Sequence, residues 1–159
     1  MSSIYILDTS TWIDLFQRYP KDVFSGLWTN IENLIKKQRI LSPKQVLKEL
    51  EQGADDELTK WCKTKNRMFL DSNSIVIGYA IEVIHNYPNL VNPYATREEA
   101  DPFIIALARS LESNLTSSTP VIVTEENATK ADRIPYVAQK YGLSSLKLIG
   151  MFQAEKWKF

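Results

Sequence analysis

Short apolar runs alternate with helix-patterned segments along this chain of 159 residues. Runs of strand length lie at residues 4–7, 39–41, 121–124 and 146–148. Because parallel strands must be joined by crossover connections, this order predicts a parallel sheet with helices on both faces. The length fits one domain, so we predict a single α/β domain over residues 1–159.

Helix boundaries follow from capping patterns and from apolar residues at steps of three and four. Ser42, Pro43 and Gln45 have the pattern of an N-cap, a first-turn proline and a capping box, so a helix should begin there. Thr96 and Glu99 also have capping-box spacing. The predicted helices cover about residues 10–20, 21–37, 42–53, 55–69, 72–84, 101–111, 134–141 and 150–157.

Four acidic residues lie where separate segments of this fold should meet. Asp8 directly follows the run 4–7, and Glu126 lies two residues past the run 121–124. Glu49 lies at the edge of a helical apolar stripe, and Asp101 begins another helix. In open parallel sheets, ligands bind beyond the carboxyl ends of the strands, where the strand order reverses. We therefore predict that the four carboxylates share one crevice.

Two of these acids also have a purely structural interpretation. Asp8 can cap the helix that begins near Ser10, and Asp101 can cap a helix ahead of Pro102. A carboxylate has two oxygens, so capping and ligand binding can coexist on one side chain. The sequence leaves both interpretations open.

Each of the two glutamates, taken alone, is weaker evidence for a functional site than the aspartates are. Glu49 also fits an ordinary exposed helical glutamate. Glu126 also fits a loop carboxylate, with Glu125 and Asn127 as substitutes for it. The four acids therefore carry weight as a set.

Electrostatics decides how that set is interpreted. Two unit charges ~4 Å apart repel by roughly 4 kcal/mol at an effective dielectric constant near 20, so converging carboxylates would protonate or destabilise the fold. A divalent cation removes this conflict. Because the ligands are oxygens and no His or Cys cluster accompanies them, the expected ion is Mg²⁺ or Mn²⁺ rather than zinc.

Four segments resemble the PIN domain in order and approximate spacing. They are IYILDTSTWID at residues 4–14, VLKEL at 46–50, ADPFIIA at 100–106 and VIVTEE at 121–126. The resemblance covers nearly the whole chain, and its most specific parts are the first motif and the helix of Asp101. Residues 134–157 further resemble a bacterial PIN-like group in which many members lack an assigned function.

This resemblance implies a three-layer α/β/α sandwich with a central parallel sheet. It also implies hydrolysis of RNA with one or two bound ions, and service as the toxin of a VapBC-type toxin–antitoxin pair with a cognate antitoxin. A cytoplasmic location is expected from the sequence itself, because Cys62 is the single cysteine and the first residues lack the pattern of a signal segment. Asp8, Glu49 and Asp101 match the first three acids of the family, and Ser10 matches a small polar residue that supports the first. Glu126 stands where the family more often has aspartate. All four acids are expected to be catalytic and metal-binding, and a homodimer is compatible with the sequence.

An RNA chain that approaches an acidic crevice needs basic residues at the rim to hold its phosphates. Lys44, Lys48, Lys130 and Arg133 fall near predicted strand ends and are the candidates, although each also fits a surface role. Tyr94 or Trp12 could stack on a base, although Trp12 is better explained as a core residue.

The overall charge does not steer the chain toward nucleic acid, because 19 basic residues balance 19 acidic ones. Local clusters can still contact phosphate, although a solvated helix face explains them as well. The two clusters are Lys36, Lys37 and Arg39, and Lys60, Lys63, Lys65 and Arg67.

Two other functions fit the same sequence. A haloacid dehalogenase-type phosphatase also uses an aspartate after its first strand, but it expects a second aspartate two positions later, where this chain has Ser10. A catalytically silent PIN-like binding module would keep the fold and use its surface for a partner. No apolar run approaches the ~20 residues that span a bilayer, so no membrane association is expected.

Overall fold

The computed structural model describes residues 2–53, 55–92, 94, 99–114 and 118–159. Within these residues the chain forms a three-layer α/β/α sandwich around a five-stranded parallel sheet. The strands are β1 (Ser2–Leu7), β2 (Ile40–Pro43), β3 (Phe69–Leu70), β4 (Ser118–Val123) and β5 (Ser144–Leu146). The predicted α/β class and the parallel sheet are confirmed.

Eight helices lie in the described part of the chain and cover the sheet. They are α1 (Thr9–Arg18), α2 (Ser25–Lys36), α3 (Lys44–Glu51), α4 (Asp56–Thr64), α5 (Ser74–Asn86), α6 (Asp101–Asn114), α7 (Ile134–Lys140) and α8 (Leu148–Ala154). None of these helices has the length and apolar character needed to cross a membrane.

The strand order is β3-β2-β1-β4-β5, so the chain first adds strands on one side of β1 and then on the other. The order therefore reverses between β1 and β4. These two strands pair along their whole length, from Ser2 opposite Ser118 to Leu7 opposite Val123. Because Leu7 pairs with Val123, the next residues, Asp8 and Thr124, leave the sheet side by side. The switch point of the sheet is therefore at the carboxyl ends of β1 and β4.

The core forms where the central strands meet the helices. Ile6, Leu7, Ile122 and Val123 are fully buried at the carboxyl halves of β1 and β4. Trp12 of α1 is also fully buried, which confirms it as a core residue rather than a stacking platform. Burial of both strand ends fixes the backbone from which the site residues project.

The predicted N-cap at Ser42 is wrong, because β2 continues through Pro43 and α3 begins at Lys44. The Ser42 hydroxyl is buried and donates a hydrogen bond of 2.6 Å to the Leu7 carbonyl oxygen. It also accepts one of 3.0 Å from Nε1 of Trp12. These contacts with distant parts of the chain take the place of local capping.

The strand β3 is absent from the sequence prediction, which extended a helix through residue 69. Instead α4 ends at Thr64, a single 3₁₀ turn covers Asn66–Met68, and β3 follows. A strand of two residues contains too little sequence to show alternation. Near the end of the chain, β5 and α8 begin about two residues earlier than predicted. The predicted capping box at Thr96 lies outside the described residues.

Candidate active site

Asp8 is only 2% exposed although it carries a carboxylate. It caps α1, because its Oδ1 accepts hydrogen bonds from the Thr11 backbone N–H at 2.8 Å and from the Ser10 hydroxyl at 3.1 Å. Its Oδ2 accepts a hydrogen bond of 2.6 Å from the Thr124 hydroxyl. The capping interpretation of Asp8 is therefore correct, and it places the carboxylate at the switch point of the sheet.

Thr124 connects two of the predicted acids and was not singled out by the sequence analysis. Its hydroxyl donates to Asp8 and accepts a hydrogen bond of 3.2 Å from the Glu126 backbone N–H. The signal was present in the sequence, because Thr124 directly follows the apolar run of β4 just as Asp8 follows that of β1.

Glu49 is partly buried and is not the solvated helical glutamate of the alternative interpretation. Its Oε1 accepts a hydrogen bond of 2.5 Å from the Thr9 hydroxyl, and its Oε2 accepts one of 3.3 Å from the Ala100 backbone N–H. The side chain thus joins the start of α1 to the residue that precedes α6.

Asp101 occupies the first helical position of α6 rather than the predicted cap position. The Ala100 carbonyl oxygen accepts hydrogen bonds from the backbone N–H groups of Phe103 and Ile104, at 2.9 and 3.0 Å. Within the described residues, no donor forms a hydrogen bond with the Asp101 carboxylate. The capping interpretation therefore does not explain this residue.

The other carboxylates act electrostatically on Asp101. Burial raises its pKa, and the negative charges of Glu126, Asp8, Glu49 and Glu99 raise it further, to about 8. All three of the other predicted acids are therefore close enough to influence this one group. Glu99 adds a fifth acid, which the sequence analysis treated only as part of a capping box.

Asp8 and Glu126 also hold their protons more tightly than usual. Burial raises the pKa of Asp8, and the hydrogen bonds from Thr11, Thr124 and Ser10 oppose this shift without cancelling it. Burial and the Asp8 charge raise the pKa of Glu126, against the lowering effects of the Ile134 N–H and the Arg133 charge. The crevice therefore disfavours full ionisation of its carboxylates.

Glu126 lies near the other predicted acids, whereas its two substitutes, Glu125 and Asn127, form hydrogen bonds elsewhere. Its Oε2 accepts a hydrogen bond of 2.9 Å from the backbone N–H of Ile134, the first residue of α7. Glu125 accepts one of 2.8 Å from Leu148 at the start of α8, and Asn127 accepts one of 2.9 Å from the Thr129 N–H. Neither substitute contributes to the raised pKa of Asp101.

A cleft of about 360 Å³ opens beside these acids. Its lining includes Glu49, Glu99, Asp101, Asn92 and Arg133. Glu99 also accepts a hydrogen bond of 2.9 Å from the Asn92 backbone N–H, which ties the loop after α5 to the cleft. The lining is mostly polar, so the cleft suits a charged and hydrated ligand.

The four basic candidates separate in space. Arg133 lines the cleft, whereas Lys44 and Lys48 line a different cavity of about 320 Å³. Lys44 also forms an ion pair of 3.3 Å with Asp71. Lys130 is exposed on the loop after β4 and does not line the cleft. The structure thus brings one of the four basic residues to the acids.

Direct metal coordination by protein side chains is limited in this arrangement. Across the described residues, no three His, Cys, Asp or Glu side chains are placed to hold one ion together. The acids that line the cleft are Glu49, Glu99 and Asp101, and Glu49 is already held by the Thr9 hydroxyl. Asp8 and Glu126 do not line the cleft, although their charges raise the pKa of Asp101.

The strand order and the covering helices give this chain a PIN-like α/β fold. One solved structure with this fold is described as the crystal structure of VapBC2 from Rickettsia felis bound to a DNA fragment from their promoter. The similarity has a TM-score of 0.52 and 17% sequence identity, and it covers 91% of this chain and 98% of that chain.

The chain belongs to the family described as domain of unknown function DUF4411, whose model matches residues 5–159. A comparison with curated proteins finds no significant match. The predicted PIN-like resemblance is confirmed at the level of the fold.

Proposed function

We propose that this protein is a metal-dependent endoribonuclease that acts as the toxin of a toxin–antitoxin pair. One observation carries the proposal. Three distant segments bring the carboxylates of Asp8, Glu49 and Glu126 around Asp101, and burial together with these charges and that of the neighbouring Glu99 raises the pKa of Asp101 to about 8. Such shifts concentrate at functional sites, because a purely structural role would favour separating like charges.

The donor chemistry fits Mg²⁺ or Mn²⁺. Asp8 and Asp101 are the proposed direct ligands, while Glu49 and Glu126 complete the cluster or act through water. Mg²⁺ retains several waters and binds through one or two carboxylates together with substrate phosphates, so a group of three protein ligands is not required. A bound ion would lower the pKa of a coordinated water and stabilise charge on the leaving oxygen.

The residues of the chain itself prepare the site in three ways. Thr11 and Thr124 donate hydrogen bonds that hold the Asp8 carboxylate in one orientation. Thr9 does the same for Glu49. Arg133, in the lining of the cleft, places a permanent positive charge where an RNA phosphate would lie.

Cleavage of single-stranded RNA, measured with Mg²⁺, with Mn²⁺ and with EDTA, tests this function. Asp101→Asn should abolish metal-dependent cleavage and retain the fold, since no donor among the described residues forms a hydrogen bond with this carboxylate. Glu112→Gln, at an exposed position of the same helix, is the matched control. Full cleavage by Asp101→Asn would exclude this residue as an essential ligand.

The toxin role requires a protein partner, and the partner we propose is a cognate antitoxin. Four isoleucines of α5 are exposed and give the protein apolar surface for such a contact: Ile75, Ile77, Ile81 and Ile84. A small adjacent reading frame whose product binds this chain and inhibits cleavage would support the assignment. A second copy of the chain is the competing occupant, and the mass of the purified protein in solution separates the two.

The exposed isoleucines of α5 also favour a second function, a catalytically silent PIN-like binding module. A titration with Mn²⁺ followed by thermal unfolding distinguishes the two, because an ion that binds only the native state raises the melting temperature. No thermal response and no cleavage, with partner binding intact, would favour the silent module.

The phosphatase alternative requires Asp8 to attack a phosphorus atom. Such a phosphatase also expects a second aspartate two positions later, and this chain has Ser10 there, whose hydroxyl donates a hydrogen bond of 3.1 Å to Oδ1 of Asp8. This difference disfavours the role. A covalent phosphoaspartate at Asp8 would nevertheless establish it and overturn hydrolysis by water.

A further inference from the structure

A second cavity, of about 370 Å³, lies at the amino edge of the sheet. It is bounded by the end of α2, by Ile40 and Leu41 of β2, and by residues 64–68. The short strand β3 pairs with Ser42 and Pro43, so no strand in the described part of the chain lies beside Ile40 and Leu41 on this flank of β2. The candidate active site lies at the opposite, carboxyl edge.

The two basic clusters of the sequence meet at this cavity. Lys36 comes from the first cluster, and Lys65 and Arg67 come from the second. Lys65 pairs with Glu32 at 3.5 Å, whereas neither Lys36 nor Arg67 has an acidic partner within the described residues. No acidic side chain belongs to the described lining of the cavity. The cavity therefore attracts an anion.

The remaining lining is part apolar and part amide. Ile35, Leu41 and Met68 provide an apolar surface, and Gln38 and Asn66 add carboxamide side chains. A carboxamide offers both a donor and an acceptor, which is the pattern that pairs with the edge of a nucleobase. A ligand that carries a phosphate and a flat heterocyclic ring would match the basic, the apolar and the carboxamide parts of this lining.

Gln38 occupies a backbone position where glycine would be more stable. Its φ angle is 58°, in the left-handed region. The Gln38 N–H donates to the Ile35 carbonyl oxygen at 3.0 Å, and the Arg39 N–H donates to that of Leu34 at 2.9 Å, which together form a Schellman motif at the end of α2. Glycine is usual at this position, so Gln38 carries its side chain at a cost in backbone energy.

We propose that this cavity binds a nucleotide, with its phosphate at Lys36, Lys65 and Arg67 and its base edge at Gln38 and Asn66. The nucleotide is either free or one unit of an RNA chain. An acidic peptide would also be attracted by the charge, but it would make no specific use of the two carboxamides. This site does not depend on the cleavage activity proposed above.

Binding is measured by calorimetry on the full-length protein in EDTA, which prevents metal-dependent cleavage. The probes are adenosine monophosphate, adenosine, inorganic phosphate, a short single-stranded oligoadenylate and a short acidic peptide. Lys36→Gln and Arg67→Gln should each weaken the binding of the monophosphate or the oligoadenylate about tenfold, since each removes a charge-assisted contact. Lys60→Gln removes the same charge from the same sequence cluster but outside the cavity, and it should leave binding unchanged.

The probes separate the two sources of the nucleotide. Binding of the monophosphate but not of adenosine identifies a free nucleotide, while binding of the oligoadenylate alone identifies a unit of RNA. The proposal is overturned if neither binds, if Lys60→Gln weakens binding as much as Arg67→Gln, or if only an acidic peptide binds.

Gln38→Gly separates a binding role from a structural one. It should raise the melting temperature by relieving the left-handed backbone and at the same time weaken nucleotide binding. A rise in melting temperature with unchanged binding would overturn the role of Gln38, and unchanged binding in Lys36→Gln and Arg67→Gln as well would overturn the site.

Discussion

The Thr124 hydroxyl donates a hydrogen bond of 2.6 Å to Oδ2 of Asp8 and so joins the ends of β4 and β1. Both side chains are 2% exposed, so this bond is shielded from water. Because the two residues follow the paired positions Leu7 and Val123, the bond exists only when the sheet has its native register. The catalytic carboxylate that we propose is thus held by the same pairing that forms the centre of the fold.

Replacing Thr124 with valine should lower both stability and cleavage. The buried Asp8 carboxylate would lose a donor, and a hydrogen bond to a charged group contributes about 1.5–3 kcal/mol. Urea unfolding measures the loss of stability. Thr119→Val, at an exposed position of the same strand, is the control and should change little. Equal stability of the two variants would contradict the importance of the Thr124 contact.

The metal-free protein should become less stable as the pH rises from about 4 to about 8. The pKa of Asp101 is raised from its ordinary value to about 8, so in this interval the folded state keeps a proton that the unfolded state has lost. The stabilising contribution of Asp101 is therefore complete below about pH 4 and is lost by the time the pH has risen through its folded-state pKa of about 8. Thermal unfolding in EDTA measures the trend, and Asp101→Asn should flatten it. A slope that is unchanged in this variant would refute the assignment.

Glu155→Gln should destabilise the attachment of α8 to the sheet. Arg39 forms two hydrogen bonds with Glu155, of 3.0 and 2.6 Å, and the Tyr5 hydroxyl donates a third of 2.6 Å. The expected loss is about 1–3 kcal/mol at neutral pH, because the guanidinium loses its partner. Denaturant unfolding provides the measurement, with Glu112→Gln as the exposed control.

The same pair predicts a second pH dependence. Burial raises the pKa of Glu155, but the hydrogen bonds from Arg39 and Tyr5 and the Arg39 charge outweigh it and keep the pKa below its ordinary value. This contribution is present above the ordinary glutamate pKa and is lost as the pH falls through the lowered one. The stability difference between wild type and Glu155→Gln should therefore narrow in acid, and a constant difference would contradict it.

Arg133→Gln should weaken RNA binding more than changes at the other three basic candidates. Arg133 alone among them lines the cleft that contains Asp101, so it is the one placed to contact a phosphate near the acids. We expect about a tenfold increase in the dissociation constant, because a charge-assisted contact is lost. Lys44→Gln, Lys48→Gln and Lys130→Gln are the controls in the same titration. A larger effect at any of the three would move the substrate path away from the cleft.

Cys62 should resist alkylation in the native protein. It is buried, and burial raises the pKa of its thiol to about 12, so almost no reactive thiolate forms near pH 8. Mass spectrometry after treatment with iodoacetamide should detect no adduct until the protein is unfolded in urea. Rapid labelling of the native protein would indicate that α4 opens readily.

The four predicted acids illustrate what could be predicted from local sequence. Asp8 and Glu126 follow apolar strands, and the parallel order of strands and helices places such residues at one edge of the sheet. The cap of Asp8 was also predictable, because it depends on residues three positions apart. Ser42 has an equally good local capping pattern, but the N-cap predicted there does not form, because buried groups of β1 and α1 form hydrogen bonds with its hydroxyl.

Other features had no signal of their own in the sequence. Thr9 and Thr124 matter because each reaches a carboxylate from a different segment, 40 and 116 positions away. The separation of Lys44 and Lys48 from Arg133 likewise depends on how α3 and α7 lie against the sheet.

The amino-acid sequence by itself determined the parallel α/β order, the acidic set and the PIN-like resemblance, since these depend on periodicity and on short motifs. Only the tertiary structure decided which hydroxyl groups hold the acids and that Arg133 is the basic side chain beside them. It also decided that the two basic clusters share a cavity at the opposite edge of the sheet. The physical reason is that hydrogen bonds and charge interactions act over a few ångströms, and the packing of the core sets those distances between residues far apart in the chain.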